Sequence, residues 1–544
     1  MNHAKILDCT LRDGAYLVDK NFGDTAIRGI IRGLVQAKID FIEIGFLQDE
    51  GFGEGKTVYK NSADALRFIP KDKQGCEFTV LADYSRYSIE NLDEKKEDSI
   101  DAIRECFFKE ERYEALEVCK TIKAKGYKVF VQPVDILGYD DIELIEFLQK
   151  VNEIEPYCLS IVDTFGSMYQ EDLHRVFELI NHNLLPACKI GFHSHNNMQL
   201  SNALSQEFIR MSVGKREVVV DGTISGMGRG AGNTPTELVA QYMISHLGYQ
   251  YDIDALLDII DGYMDNIRTR CSWGYTTPYF IAGCYGAHVN NISYLTRKNS
   301  ICSKDIRYIL NKIGNVARKR YDYDLLERTY LELLESTIDD SATLERLKGK
   351  IGQHTVLVLV PGHTISDESD KIKKYIERES PIVISVNFLP KEFQIDYMYM
   401  SNVKRYHYWQ NNPQFSNIPK ILTSNIVANM QIENAEIVSF KRLIKCGGWD
   451  NIDNSTLMLL RLLDQLHVTG IAIAGFDGFD TSSSNYASQF LESLSSNVDA
   501  VKQNQEIEAM LENYYMTRVN KNVEITFVTN SRFETIIKRM DKGS

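Results

Sequence analysis

The chain has 544 residues, of which 44% are hydrophobic and 25% charged, with a formal net charge of −14. That length predicts two or three domains, and the composition is that of a globular protein. The acidic balance argues against nucleic acid or an anionic membrane surface as partner, because phosphate binding needs a basic face.

No apolar run approaches the roughly 20 residues of a membrane span, and Met1–Asp8 runs directly into a strand pattern without a signal-peptide core. Ten cysteines are scattered with no Cys-x-x-Cys pair. The expectation is therefore a cytoplasmic protein with reduced thiols, lacking both a zinc ribbon and a disulfide framework.

Eight apolar strand patterns follow one another in the first half: Ala4–Thr10, Ile39–Phe46, Glu77–Ala82, Ile100–Phe107, Tyr127–Val134, Cys158–Thr164, Lys189–His195 and Glu217–Thr223. Helical patterns lie between them, among them Asp24–Lys38, Glu111–Lys125, Gln170–Asn181 and Thr234–His246. Short apolar strands alternating with helices predict parallel strands covered on the outside. Eight such units in about 250 residues fit a (β/α)8 TIM barrel. An open doubly wound sheet would need a Gly-rich turn after the first strand, where Leu11-Arg-Asp-Gly14 stands instead. Residues 1–250 are read as this barrel, the metal-dependent catalytic domain.

Residues 251–348 show helices at Asp254–Arg268, Asp305–Gly314 and Asp322–Leu347 around a loop-rich stretch, Ser272–His288. They are read as a helical appendage. A second alternation begins with the apolar strand Thr355–Val360 and the turn Pro361-Gly-His-Thr364, followed by a helix at Ser366–Arg378. Further strands are predicted at Ile382–Asn387, Ile395–Met400, Gly470–Ala474 and Val523–Val528, with an apolar helix at Ser455–Leu466. Residues 349–544 thus read as a Rossmann-like α/β domain.

The chemistry centres on His193-Ser-His195. Residues i and i+2 of a strand point to one side, so two imidazoles at this spacing converge as metal ligands do. Taken alone, the pair fits a solvated strand end equally well. A TIM barrel collects its active site at the carboxyl ends of its strands. Arg12, Asp13, Glu43, Gln132, Asp163 and Thr164 all fall there. Asp13 alone would be a turn-capping carboxylate. In a closed ring, however, the first and seventh strands flank the eighth, and two imidazoles with one carboxylate make an open, catalytic type of metal site.

These residues resemble a known family. Asp8-Cys-Thr-Leu-Arg-Asp-Gly14, His193-Ser-His195 and the Gly-rich loop ending at Asn233 are similar to the DRE-TIM (HMGL-like) metallolyases over residues 1–290. Gly226–Glu237 is most similar to the 4-hydroxy-2-oxovalerate aldolases. The resemblance implies that Asp13, His193 and His195 hold a divalent metal, Mn2+ or Mg2+ ahead of Zn2+, with Asn233 ligating or supporting it. It implies that Arg12 stabilises an enolate oxygen and that the protein is a homo-oligomer; Glu43, Gln132, Asp163 and Thr164, by their place at the strand ends, are expected to line the substrate. A 2-oxo acid such as pyruvate and an aldehyde are the expected partners. One departure stands out: these aldolases carry a histidine base two residues after the motif glycine, and here that position is Tyr16. A phenol with an ordinary pKa of about 10 is a poor base at neutral pH, so Tyr16 is a candidate catalytic acid/base.

In the C-terminal half, Asn454-Ser455 before an apolar helix and Gly475-Phe-Asp-Gly478 resemble bacterial sialyltransferase-like Rossmann-type domains. That likeness implies a nucleotide or nucleotide sugar as ligand and a place in surface-polysaccharide sugar synthesis. Three functions are therefore expected in turn: an aldolase-type lyase, an acyl-CoA-dependent Claisen acyltransferase, and a nucleotide-sugar transferase or binding protein defined by the C-terminal domain.

Overall fold

The computed structural model describes residues 3–51, 53–298, 301–334, 338–426, 432, 434–445, 453–480, 485–487 and 499–542. Eight strands form the first sheet: β1 (Ala4–Asp8), β2 (Phe41–Leu47), β3 (Glu77–Asp83), β4 (Ala102–Phe107), β5 (Lys128–Pro133), β6 (Cys158–Asp163), β7 (Lys189–Ser194) and β8 (Val218–Gly222). Each pairs in parallel with its sequence neighbour, and β1 pairs with both β8 and β2, which closes the ring. Residues on both faces are buried and mostly apolar because helices cover the outside, as a parallel sheet requires. All eight expected strands are present. A two-residue strand, Val58–Tyr59, adds to β2 outside the ring.

The chain divides into two compact units, residues 1–292 with 314–321, and residues 293–313 with 322–544. The second unit holds seven parallel strands: β9 (Thr355–Leu359), β10 (Ile382–Val386), β11 (Tyr397–Met400), β12 (Lys420–Thr423), β13 (Ala435–Val438), β14 (Gly470–Ala474) and β15 (Glu524–Phe527). Their order is β13-β12-β11-β10-β9-β14-β15, so the chain reverses direction between β9 and β14. β12 and β13 were not expected. Lys420 opens β12 with its stem buried and its ammonium turned back onto the carbonyls of Ser416 and Ile418, a device that hydropathy does not reveal.

The run Asp322–Leu347, expected as one helix, is two, Tyr323–Leu334 and Ser341–Ile351. The buried Asp340 carboxylate leaves the helical path to accept from the Ser439 amide and the Arg442 guanidinium. The stretch read as loop contains a helix, Thr277–Tyr285, with Thr276 as N-cap and Pro278 in its first turn. The nine described cysteines are free thiols, and Cys446 lies outside the described residues. Among the described residues no helix is long and apolar enough to cross a membrane.

Asp8 ends β1 fully buried and accepts from the Thr10 amide and the Thr236 hydroxyl. Burial outweighs these bonds and pushes its carboxyl up to about 6. The folded state then binds the proton more tightly than the unfolded chain, so stability is lost as pH rises from about 4 to 6 and is not regained above it. Asp8→Asn should therefore raise stability near neutral pH by up to about 3 kcal/mol and change little near pH 4. Urea denaturation at the two pH values checks this.

Candidate metal centre

The carboxyl ends of β1 and β7 bring three ligand-type side chains together. The Nε2 atoms of His193 and His195 lie 3.3 and 3.5 Å from Asp13 Oδ2, with the ring centroids 5.1 Å apart. One ligand atom from each of the three residues falls within 4.8 Å of the others. The opposite ring nitrogens are also engaged. His195 Nδ1 sits 2.7 Å from the Thr164 carbonyl oxygen, which fixes the proton there. His193 Nδ1 is 3.0 Å from Asp221 Oδ2, at ion-pair distance but off the line of a good hydrogen bond. Both Nε2 atoms are thus turned toward Asp13, the arrangement by which surrounding groups orient metal-binding histidines.

A buried chain of charges supports them. Arg12 donates from Nη1 to Asp13 Oδ2 at 2.7 Å and from Nε to Glu43 Oε2 at 2.8 Å. Arg104, fully buried, donates to the same Glu43 oxygen at 2.8 Å and to Asp221. Burial opposes ionisation of Asp13, yet Arg12 and the two imidazoles hold its carboxyl well below the usual range. Asp221 is likewise held low against burial, chiefly by Arg104. Burial works against an imidazolium at His193, but Asp13 and Asp221 on either side outweigh it and raise its value.

Local backbone makes room for this. β2 bulges between Glu43 and Phe46. Gly45 there adopts φ +148°, with the Thr57 carbonyl 2.2 Å from where a Cβ would stand. In the loop after β8, a Cβ on Gly228 would meet Asn233 Nδ2 at 2.2 Å and Asp13 Oδ1 at 3.4 Å. Asn233 bridges to His195 along the backbone. Its Nδ2 donates to the Met227 carbonyl, and its Oδ1 is buried without a hydrogen-bond partner. An orphaned amide oxygen beside two imidazoles and a carboxylate is the donor set a divalent cation takes, so the residues fit such an ion.

The structure gathers Arg12, Asp13, Glu43, His193, His195 and Asn233, and reaches Thr164 through its backbone carbonyl. The Thr164 hydroxyl is occupied by the Asp135 amide. Gln132 is buried with its amide donating to Ser160, and Asp163 accepts from the Ser167 amide, its carboxyl pushed up by burial. Burial likewise raises the Tyr16 phenol, so at neutral pH it carries its proton. Two members of the charge chain, Arg104 and Asp221, were not singled out from the sequence.

Residues 3–261 match the HMGL-like family model. Oxaloacetate decarboxylase from Mycobacterium tuberculosis is 27% identical over 270 residues, 46% of this chain and 74% of the relative. A 4-hydroxy-2-oxovalerate aldolase from Shewanella pealeana is 28% identical over 200 residues, 35% of this chain; the match spans about half of that relative, 55%. Among solved structures, HMG-CoA lyase from Bacillus subtilis is 17% identical with a TM-score of 0.41, covering 49% of this chain and 95% of its own. Residues 3–261 thus form an HMGL-like domain of the DRE-TIM metallolyase superfamily, and the protein is an enzyme of the lyase type.

Proposed function

We propose that the barrel is a divalent-metal-dependent, aldolase-type lyase that makes or breaks a carbon–carbon bond through the enolate of a pyruvate-like 2-oxo acid. The observation that carries this reading is the convergence of His193 Nε2, His195 Nε2 and Asp13 on one point, with Arg12 bonded to the same carboxylate. Mn2+ or Mg2+, ahead of Zn2+, suits a site that offers carboxylate and amide oxygens beside imidazole. Such a cation would polarise the keto oxygen of the bound acid.

The chain's own residues supply the rest. Three carboxylates, Asp13, Glu43 and Asp221, face two guanidiniums, Arg12 and Arg104. One divalent cation leaves a single positive charge, which a monoanionic 2-oxo acid neutralises. Arg12 spends Nε and Nη1 on carboxylates and has no described partner at Nη2, which leaves a donor for the developing enolate oxygen. In the bond-forming direction a C3 proton leaves, C3 bonds to a carbonyl carbon and the carbonyl oxygen takes a proton; no oxidant is needed. Tyr16, held protonated, is suited to give that proton. The reactions named for the two relatives share one step, since decarboxylation of oxaloacetate and cleavage of a 4-hydroxy-2-oxo acid both leave the pyruvate enolate.

Loss of C3–H signal from pyruvate in D2O with Mn2+, followed by NMR, tests this reading before any aldehyde is known. Exchange is expected, and its absence at every divalent metal tried overturns the proposal. Release of free thiol from acetyl-CoA would favour acyl transfer instead. Arg12→Ala should lose about 2.7–4 kcal/mol of transition-state stabilisation, the scale of one oxyanion donor, measured as kcat.

For the second unit we propose a nucleotide or nucleotide-sugar site. A cavity of about 240 Å3 lies where the strand order reverses, lined among others by Gly362, Asn387, Arg405, Ser455 and Tyr486. Open α/β sheets bind ligands at that crevice. A role in surface-polysaccharide sugar synthesis depends on the same titration: CMP and UMP binding to the full chain supports both, and no binding removes both. Self-association, which the resemblance implies, is read by light scattering.

A further inference from the structure

Arg229 stands in the Gly-rich loop beside Gly228, the residue packed against Asn233 and Asp13. Its guanidinium lies 3.9 Å from the centre of the Tyr16 ring, half-buried. Unlike Arg12 and Arg104, it has no carboxylate within ion-pair distance among the described residues. It is not isolated from other cations. Arg229, Arg320 and Arg86, together with His195, all bear on His288, whose imidazole burial and these charges push down to about 3. The Asn290 amide donates to His288 Nδ1 at 3.1 Å, so the neutral ring keeps its proton on Nε2 and is a donor.

A cavity of about 900 Å3 opens beside Tyr16, with Lys20 and Arg86 in its wall. Burial and then Arg86 depress the Lys20 ammonium, which hydrogen-bonds Gln48 at 2.6 Å and has no carboxylate within ion-pair distance among the described residues. Arg86 reaches Asp83 at 3.6 Å. The acids around this cavity, Asp19, Asp49 and Glu50, are exposed, and Asp49 already takes the Ser88 amide and the Asn91 side chain. In a chain of net charge −14, Arg229 and Lys20 stand here without an ion-paired acid among the described residues, while Arg86 pairs with Asp83 and Arg320 with Glu110; crowded cations disfavour one another unless a bound anion compensates.

We propose that the carbonyl compound joined to, or released from, the enolate carries an anionic group, a phosphate or a carboxylate, which Arg229 receives together with Arg86. The inference rests on the enolate chemistry proposed above. The anionic group itself is unchanged in the reaction; it anchors the electrophile at the barrel mouth, where a planar guanidinium on an aromatic ring offers paired donors to phosphate or carboxylate oxygens.

Two measurements on the full Mn2+-loaded chain decide it. Glycerol 3-phosphate, which cannot react, should bind in calorimetry where glycerol does not. Arg229→Gln should weaken that binding about tenfold or more, the scale of one charge-assisted hydrogen bond, while Arg229→Lys keeps part of it and controls for folding. As acceptors with pyruvate, glyceraldehyde 3-phosphate or succinic semialdehyde should show a lower KM than propionaldehyde, and the better of the two charged aldehydes identifies phosphate or carboxylate. Arg229→Gln should abolish that preference. Glycerol 3-phosphate that fails to bind, or binds Arg229→Gln equally well, overturns the proposal, as does an absent charge preference. The binding arm needs no turnover, so it decides the anion site even if pyruvate fails to exchange, a result that would count against the enolate reading alone.

Discussion

Asp13→Asn is expected to lose Mn2+ affinity by more than about 100-fold, since removing even an indirect supporter of a metal ligand costs 10–100-fold, and to lose turnover with it. The fold should persist. Arg12 retains Glu43 when Asp13 is neutralised, and the asparagine keeps an oxygen to accept from Arg12. Calorimetric titration with Mn2+ and a circular dichroism spectrum of the same sample read the two halves of this prediction. A variant that binds Mn2+ normally would remove Asp13 from the centre.

Arg104→Met is expected to act on the fold itself. Arg104 is completely buried and bridges Glu43 to Asp221. Replacing it with an apolar side chain of similar length leaves three carboxylates, Asp13, Glu43 and Asp221, facing one remaining guanidinium, Arg12. Breaking a buried pair from one side typically costs 3–5 kcal/mol, and about that loss is expected in urea denaturation near neutral pH. Asp221 also loses its principal counter-charge, so the support of His193 Nδ1 changes and metal affinity should fall too. Wild-type stability in Arg104→Met would contradict the charge chain described above.

The parts of the centre that were legible in the sequence share a property: each is marked by local spacing. His193 and His195 are two apart at the end of a strand, and Arg12 and Asp13 stand in the turn that follows the first strand, so barrel closure brings them together. Arg104 and Asp221 carry no such mark. In Ala102-Ile-Arg-Glu-Cys-Phe107 two charged residues are adjacent, and both Arg104 and Glu105 are buried, so alternation does not say which one reaches Glu43. Thr164 illustrates a different limit. Its side chain suggested a substrate contact, whereas the atom that serves the centre is its carbonyl oxygen, which every residue possesses. Tyr16 was legible as a departure from the family pattern, but its protonation depends on burial, which needs the fold. In the second unit, β12 and β13 escaped because short strands with polar ends show little periodicity, and the long helix Ala500–Thr517 because its polar and apolar residues are mixed around the axis.

The site is tested most directly by diffraction from crystals of the full chain soaked in Mn2+, with data collected at the manganese absorption edge. The account predicts one anomalous peak in the barrel, within bonding distance of Asp13, His193 Nε2 and His195 Nε2. A barrel without that peak, or a peak bound by other residues while these three remain paired only with one another, would contradict it.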